Sequence, residues 1–269
     1  MGCGIVSRLL RVHLALVYLF LFVPIAVLVV LSFNASGLPT SWGGFSTQWY
    51  GELFRNDEIA DGLRNTLVVA VGATVIATLL GTLLAVGIAR HVRNPLVEAS
   101  ILAPAVLPDI VLAVGLLVLY TSIDLTLGLW SVTLSHSLFC MAFVTAVVRT
   151  RLSHVDPSLE EAARDLGDSA TGAFVRITLP SLMPGIVAGA LLSFTLSLDE
   201  FVIAFFTNGP AQQTLPQVIY SNVRFGVKPD VNALAAILLL VSTVVVLTAQ
   251  RLTRLTDDLG DRTSSGAPT

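Results

Sequence analysis

Residues 66–89 read TLVVAVGATVIATLLGTLLAVGIA, an unbroken apolar run with no charged side chain. A helix rises 1.5 Å per residue, so about 20 apolar residues cross the roughly 30 Å hydrocarbon layer of a bilayer. A run this long reads as a membrane span, not a strand or an ordinary core helix. Five more windows of the same kind lie outward from it, at residues 12–33, 99–123, 125–148, 182–206 and 231–250. The composition agrees: 54% hydrophobic, 12% charged and a mean hydropathy of +0.83 leave no room for an ordinary soluble domain. The expected fold class is all-α, a polytopic membrane protein forming one domain of six transmembrane helices.

The first window follows Arg8 and Arg11, as the apolar part of a signal peptide would. It is too long for that role and contains Pro24. Cleavage after Ala35 would also put Phe33 where a small residue is needed. It is expected to stay as an anchor. Val6 stands where an N-myristoylation signal needs Ser or Thr. Cys3 and Cys140 are too few and too far apart for a disulfide framework or a metal site.

Basic residues decide orientation. With the N-terminus inside, 11 of the 15 Lys and Arg residues fall in cytoplasmic segments, and only Arg55, Arg64, Arg224 and Lys228 fall outside. Both termini are therefore expected in the cytoplasm, and the polar tail at 257–269 is expected to be solvated and disordered.

Two windows carry small residues at four-residue intervals: Ala73, Ala77, Gly81, Ala85 and Ala89 in the second, and Gly185, Gly189, Ser193 and Ser197 in the fifth. Such stripes let helix backbones approach closely in a membrane, so these faces are expected between helices.

The longest segment on the basic side, residues 149–181, interrupts the hydrophobic pattern. Asp156 is placed to cap a helix, Pro157 suits its first turn, and Glu160 and Glu161 favour the positive end of the dipole. Gly167 offers a left-handed residue to end it. Ser169 then caps a second short helix over residues 171–178, which Pro180 should stop.

Within this loop, Glu161-Ala162-Ala163, three residues, Gly167, nine residues, then Ile177-x-Leu179-Pro180 resembles the EAA motif of binding-protein-dependent ABC transporter permeases. The resemblance extends along the chain. Phe45-Ser46-Thr47-Gln48-Trp49-Tyr50, Leu107-Pro108-Asp109-Ile110-Val111, Ser197-Leu198-Asp199-Glu200-Phe201-Val202-Ile203, Thr214-Leu215-Pro216 and Asn232-Ala233-Leu234-Ala235 are similar to the C-type permease of spermidine/putrescine importers. Glu200 stands where that pattern has aspartate. The resemblance implies a type I importer permease in the bacterial inner membrane. Its loop would be a coupling helix, with Glu160, Glu161, Ala162, Ala163, Gly167, Ile177, Leu179 and Pro180 meeting a separate ATPase. It also implies a second homologous permease, a cytoplasmic ATPase dimer and an extracytoplasmic substrate-binding protein as partners, and no role for nucleic acid.

ATP and Mg are expected on the partner. A P-loop needs a lysine before Ser or Thr at a helix start, and the sole lysine, Lys228, precedes Pro229. The chain is therefore expected to bind no cofactor and to catalyse no reaction itself. His13, His91, His136 and His154 have no metal-ligand spacing. Only His136, inside a span, invites a role, against the alternative of a hydrogen-bonded helix contact. Asp109, Asp199 and Glu200 are carboxylates in spans with no basic residue beside them, where a charge costs about 2.5–3.5 kcal/mol on insertion scales. They are candidates for a path that takes a cation, against the alternatives of hydration near the interface or a helix cap at Asp109. An ion-driven carrier would show paired broken spans in its two halves, and none is legible. An intramembrane enzyme would need a nucleophile and base at workable spacing, and none is found.

Overall fold

The structure is a computed structural model that describes residues 2–37, 41–91, 94–225 and 229–244, with side chains from residue 8 except at residue 225. The expected tail at 257–269 and the end of the sixth window, 245–250, lie outside the described residues. Among those residues the regular elements are helices, with one isolated bridge between Asn34 and Phe45. The chain divides into two units, residues 1–57 with 221–269, and residues 58–220.

The first unit contains α1 (Gly2–Leu31) and α2 (Gln48–Leu53), together with α12 (Pro229–Val244). The chain leaving α1 is pinned by Asn34. Its side-chain oxygen accepts from the N–H groups of Ser36 and Gly43, at 3.1 and 2.8 Å, and its amide nitrogen donates to the Ser41 carbonyl at 2.7 Å. Phe33 stacks on Phe45 with ring centroids 5.3 Å apart. The same turn receives the Trp49 indole N–H on the Asn34 carbonyl at 2.7 Å.

The second unit contains α3 (Asp57–His91), α4 (Pro95–Leu102), α5 (Asp109–Ser122), α6 (Leu129–Leu152), α7 (Pro157–Asp165), α8 (Ala170–Ala173), α9 (Leu179–Asp199), α10 (Val202–Thr207) and α11 (Leu215–Phe225), the last continuing into the first unit. Helix α6 is its centre. In its most apolar stretch 67% of residues are buried, against 28% in α3. The core joins Ala77 and Ala85 of α3, Ala113 of α5, Phe139, Cys140, Val144 and Val148 of α6, Leu182 of α9 and Ile203 of α10. The small-residue stripes do what their spacing predicts. Ala73, Ala77, Gly81 and Ala85 are buried, as are Gly185, Gly189, Ser193 and Ser197; only Ala89, at the end of its stripe, is exposed. A Cβ placed on Gly189 would stand 3.3 Å from the Val144 side chain, and one on Gly185 would stand 2.6 Å from Arg151 Cβ.

Among the described residues, four helical stretches are long and apolar enough to cross a membrane: residues 8–31, 57–91, 129–152 and 170–199. A fifth counts if two helices bent by 101° form one span. That bend divides the third expected window at Pro108, as the alternative reading of a helix beginning at Asp109 has it. Residues 95–105 and 109–122 are separate, because Pro108 has no N–H to continue the ladder and pushes Leu107 out of helical geometry. The fifth window also departs from expectation. Helix α9 stops at Asp199, Glu200 is extended (φ −68°, ψ 110°), and α10 restarts at Val202. The sixth window is represented by α12, which is shorter than a span within the described residues.

Pro180 does not stop the loop's second helix. The helix runs from Ala170 through Asp199, passing Pro180 by way of a π turn at Phe174–Thr178. Proline crowds the carbonyl four residues before it, here that of Arg176, and the wider π turn makes room there.

Candidate functional site

The loop at 153–178 carries the strongest sequence signal, and its local structure follows from its residues. Asp156 caps α7 by accepting from the Ser158 N–H at 2.9 Å, with Pro157 in the first turn. The backbone bond to Ser158 is the main cause that holds the Asp156 carboxyl below its ordinary value. At the other end Gly167 has φ +96°, the left-handed region that side chains disfavour. Its N–H reaches the Arg164 carbonyl and that of Asp168 reaches the Ala163 carbonyl, both at 3.0 Å, which is the paired closure of a Schellman motif. Ser169 then caps α8 by accepting from the Gly172 N–H at 3.0 Å.

None of the α7 side chains is buried. Leu159, Ala162, Ala163 and Leu166 fall on one helical stripe, and Leu166 is 90% exposed. Glu161 is exposed too. Glu160 differs, because it turns inward. It accepts both guanidinium N–H groups of Arg90, at 3.1 and 2.6 Å, and the Thr178 hydroxyl at 2.5 Å. The hydrogen bond from Thr178 is the largest cause that holds its carboxyl below the ordinary range, followed by Arg90. Ile177 and Leu179 are half-buried and Pro180 is exposed. Arg176 is exposed, yet it pairs with Asp168 at 3.1 Å.

More pairs gather where α3 and α6 end. Arg149 forms an ion pair with Glu98 of α4, and Arg151 donates to the Ser181 carbonyl at 3.0 Å. Neither Arg90 nor Thr178 is visible as a site residue in the sequence, since Arg90 lies 70 positions from its partner. A cavity of about 330 Å³ beside them is lined by Leu152, Val155, Asp156, Glu160, Glu161 and Thr178, among others.

The three membrane carboxylates sit at helix breaks. Asp109 opens α5 and is exposed; Asp199 closes α9 and is exposed; Glu200 is half-buried and accepts the Ile203 N–H at 2.8 Å, so it caps α10. Helix α10 packs on α5, which brings the segments bearing Glu200 and Asp109 to one region of the unit. Asp109 makes no cap bond of its own. His136 is 1% exposed, and its Nδ1 lies 2.8 Å from the Ser197 hydroxyl across the α6–α9 contact. That is the hydrogen-bonded helix contact. Among the described residues no group of His, Cys, Asp and Glu side chains could hold a metal ion.

Residues 73–258 match the family model described as the inner membrane component of binding-protein-dependent transport systems. The chain belongs to this family of transport permeases. The permease is 42% identical over 252 residues to the Escherichia coli K12 spermidine/putrescine transport system permease PotC, a match covering 93% of this chain and 96% of that one. It is 43% identical over 237 residues to the putrescine transport system permease PotI of the same organism, covering 85% and 84%. In fold the permease resembles a chain of a bacterial ABC transporter that imports the acidic polysaccharide alginate, with a TM-score of 0.74 at 16% identity over 93% of this chain and 97% of that one. It also resembles a chain of the MetNI methionine ABC transporter, with a TM-score of 0.59 at 21% identity, covering 78% and 99%.

Proposed function

We propose that this permease forms half of the translocation path of an ATP-driven importer for polyamines such as spermidine or putrescine. The observation that carries the substrate class is the extent of the likeness to PotC, 42% identity over 93% of the chain. Partial likenesses would support only a transport fold, whereas this one includes the segments around Asp109, Asp199 and Glu200. These carboxylates suit a substrate with several ammonium groups, because an unpaired acid in a low-dielectric path attracts a cation strongly.

Six spans cross the inner membrane in this reading: α1, α3, the bent pair α4–α5, α6, α9 with its restart α10, and the window that begins with α12. Both termini lie in the cytoplasm, in keeping with the distribution of Arg residues. Helix α7 then faces the cytoplasm, and its exposed Leu159, Ala162 and Leu166 stripe is the surface that seats in a cleft of the ATPase. A helix with no buried side chain and an apolar stripe needs a partner to cover it. Glu161, Ala162, Ala163 and Gly167 contribute to this contact, and Ile177, Leu179 and Pro180 join the loop to α9. ATP and Mg bind the partner ATPase dimer, a second homologous permease completes the path, and an extracytoplasmic binding protein delivers the substrate. ATP binding moves the coupling loops, and the spans open alternately to the two sides.

The test is uptake by the purified permease with its partner subunits in vesicles. ATP-dependent accumulation of labelled spermidine or putrescine is expected. A complex that hydrolyses ATP and accumulates only a different solute would sink the polyamine reading and leave the importer reading intact.

A further inference from the structure

The last turn of α3 holds a contact set that the docking stripe of α7 does not explain. Arg90 places both guanidinium nitrogens on Glu160, at 3.1 and 2.6 Å, and its guanidinium carbon stands 5.1 Å from the centre of the Phe174 ring. Glu160 is held a third time by the Thr178 hydroxyl at 2.5 Å. One arginine of a long apolar helix therefore ties together α7, the π turn and itself.

The surroundings show why this node matters. On one side lies the cavity of about 330 Å³ that borders α7. On the other a groove of about 730 Å³ runs between α3 and α9, lined by Leu83, Val86, Met183 and Ile186 and again by Arg90 and Phe174. Open space on both sides means that side-chain packing does not substitute for the clamp. A forked arginine–carboxylate pair also fixes distance and angle together, which a single point charge does not.

We propose that Arg90 and Glu160 are positioning residues that carry the displacement of α7 into the spanning helix α3, and that Glu160 is not an ATPase contact. This rests on the reading of α7 as the ATPase-docking helix. It separates two tasks within one loop. The outward stripe of α7 holds the ATPase, and the inward carboxylate moves the membrane helix.

The test uses the whole complex reconstituted in vesicles with spermidine-loaded binding protein, comparing wild type, Arg90→Gln, Arg90→Lys and the exchange Arg90→Glu with Glu160→Arg. Three quantities are read: ATPase recovered with the permease, ATP hydrolysed and spermidine transported per ATP. Arg90→Gln is expected to recover a normal amount of ATPase and to hydrolyse ATP, while spermidine transported per ATP falls at least tenfold. Arg90→Lys keeps the charge without the fork and should recover only part of the loss, and the exchange should restore more than half of the ratio. An unchanged ratio in Arg90→Gln overturns the proposal. Should that variant fail to assemble, the exchange decides alone: a restored ratio supports the clamp and a lost one overturns it. A wild-type permease that recruits no ATPase overturns the docking reading itself, and this proposal with it.

Discussion

Gly81 and Val144 meet at a separation that leaves no space for a side chain on the glycine. A Cβ added to Gly81 would stand 2.8 Å from Val144 Cβ and 3.0 Å from the Met141 carbonyl oxygen. Val144 faces Gly189 of α9 as well, so α6 is gripped between two helices at one level. Gly81→Ala is therefore expected to destabilise the protein by about 1–3 kcal/mol, the usual range for overpacking. The check is thermal unfolding of the detergent-purified protein. Val144→Ala in the same background should recover part of the loss, and a double-mutant cycle that found the two sites additive would contradict the contact.

The sequence shows Gly81 on an interhelical face, but it does not show Val144 as the partner. Glycine and alanine at intervals of four name a helix face without naming the partner, because the intervals are local and the partner is not. The alternation of apolar windows with Arg clusters sets spans in the same local way. The break at Glu200 is harder to see than the one Pro108 suggests before Asp109, since hydropathy averages over a window and barely registers one extended residue. Pro180 is not the stop that a single-residue rule makes it, because the π turn before it is a property of five residues together. Glu160 and Glu161 look alike in the sequence, two carboxylates in the first turns of one helix. At 100° per residue adjacent positions point to different surroundings, and only the fold shows that one meets Arg90 while the other meets solvent.

The end of α7 makes a second prediction. Nothing lies within 4 Å of a Cβ on Gly167, and its φ is +96°. Any loss on substitution within this chain must come from the backbone, at roughly 1–2 kcal/mol for a residue forced into the left-handed region. Asparagine tolerates that region far better than valine does. Gly167→Val is expected to abolish polyamine uptake and to reduce ATPase recovery in pull-downs, while Gly167→Asn retains most of both. Normal ATPase recruitment by Gly167→Val would count against α7 as the docking helix. Equal loss in both variants would mean that the docked partner, and not the backbone, needs the empty space.

Glu160 makes the loop sensitive to acid in a definite direction. Its carboxyl sits below the ordinary value of 4.5, first because Thr178 donates to it and then because of Arg90. A depressed folded value means that the ionised contact contributes fully above the unfolded value and is lost as pH falls through the folded one. Physiological pH changes therefore leave this contact intact. Thr178→Val should raise the carboxyl's folded value back toward its ordinary one, so the gap in stability between wild type and variant should be widest near neutral pH and close as pH falls through the depressed folded value. Melting curves across an acid-to-neutral series read this directly. A gap that stayed constant through the acid range would show that the threonine acts by packing alone.

The membrane carboxylates should divide by what each one touches. Glu200 caps α10 through the Ile203 N–H, whereas Asp109 and Asp199 are exposed at helix ends. Removing a capping acceptor costs about 0.5–2 kcal/mol. Glu200→Ala is thus expected to lower the melting temperature as well as transport, and Glu200→Gln, which keeps an acceptor oxygen, should spare stability. Asp109→Asn and Asp199→Asn remove charge without removing a bond, so they should leave melting unchanged and raise the KM for spermidine by roughly tenfold each, as befits the loss of about 1.4 kcal/mol of attraction per charge. Neutralising Asp199 and Glu200 together with no effect on polyamine uptake would refute the cation path through these acids. The break between α9 and α10 would then owe its carboxylates to helix ends alone.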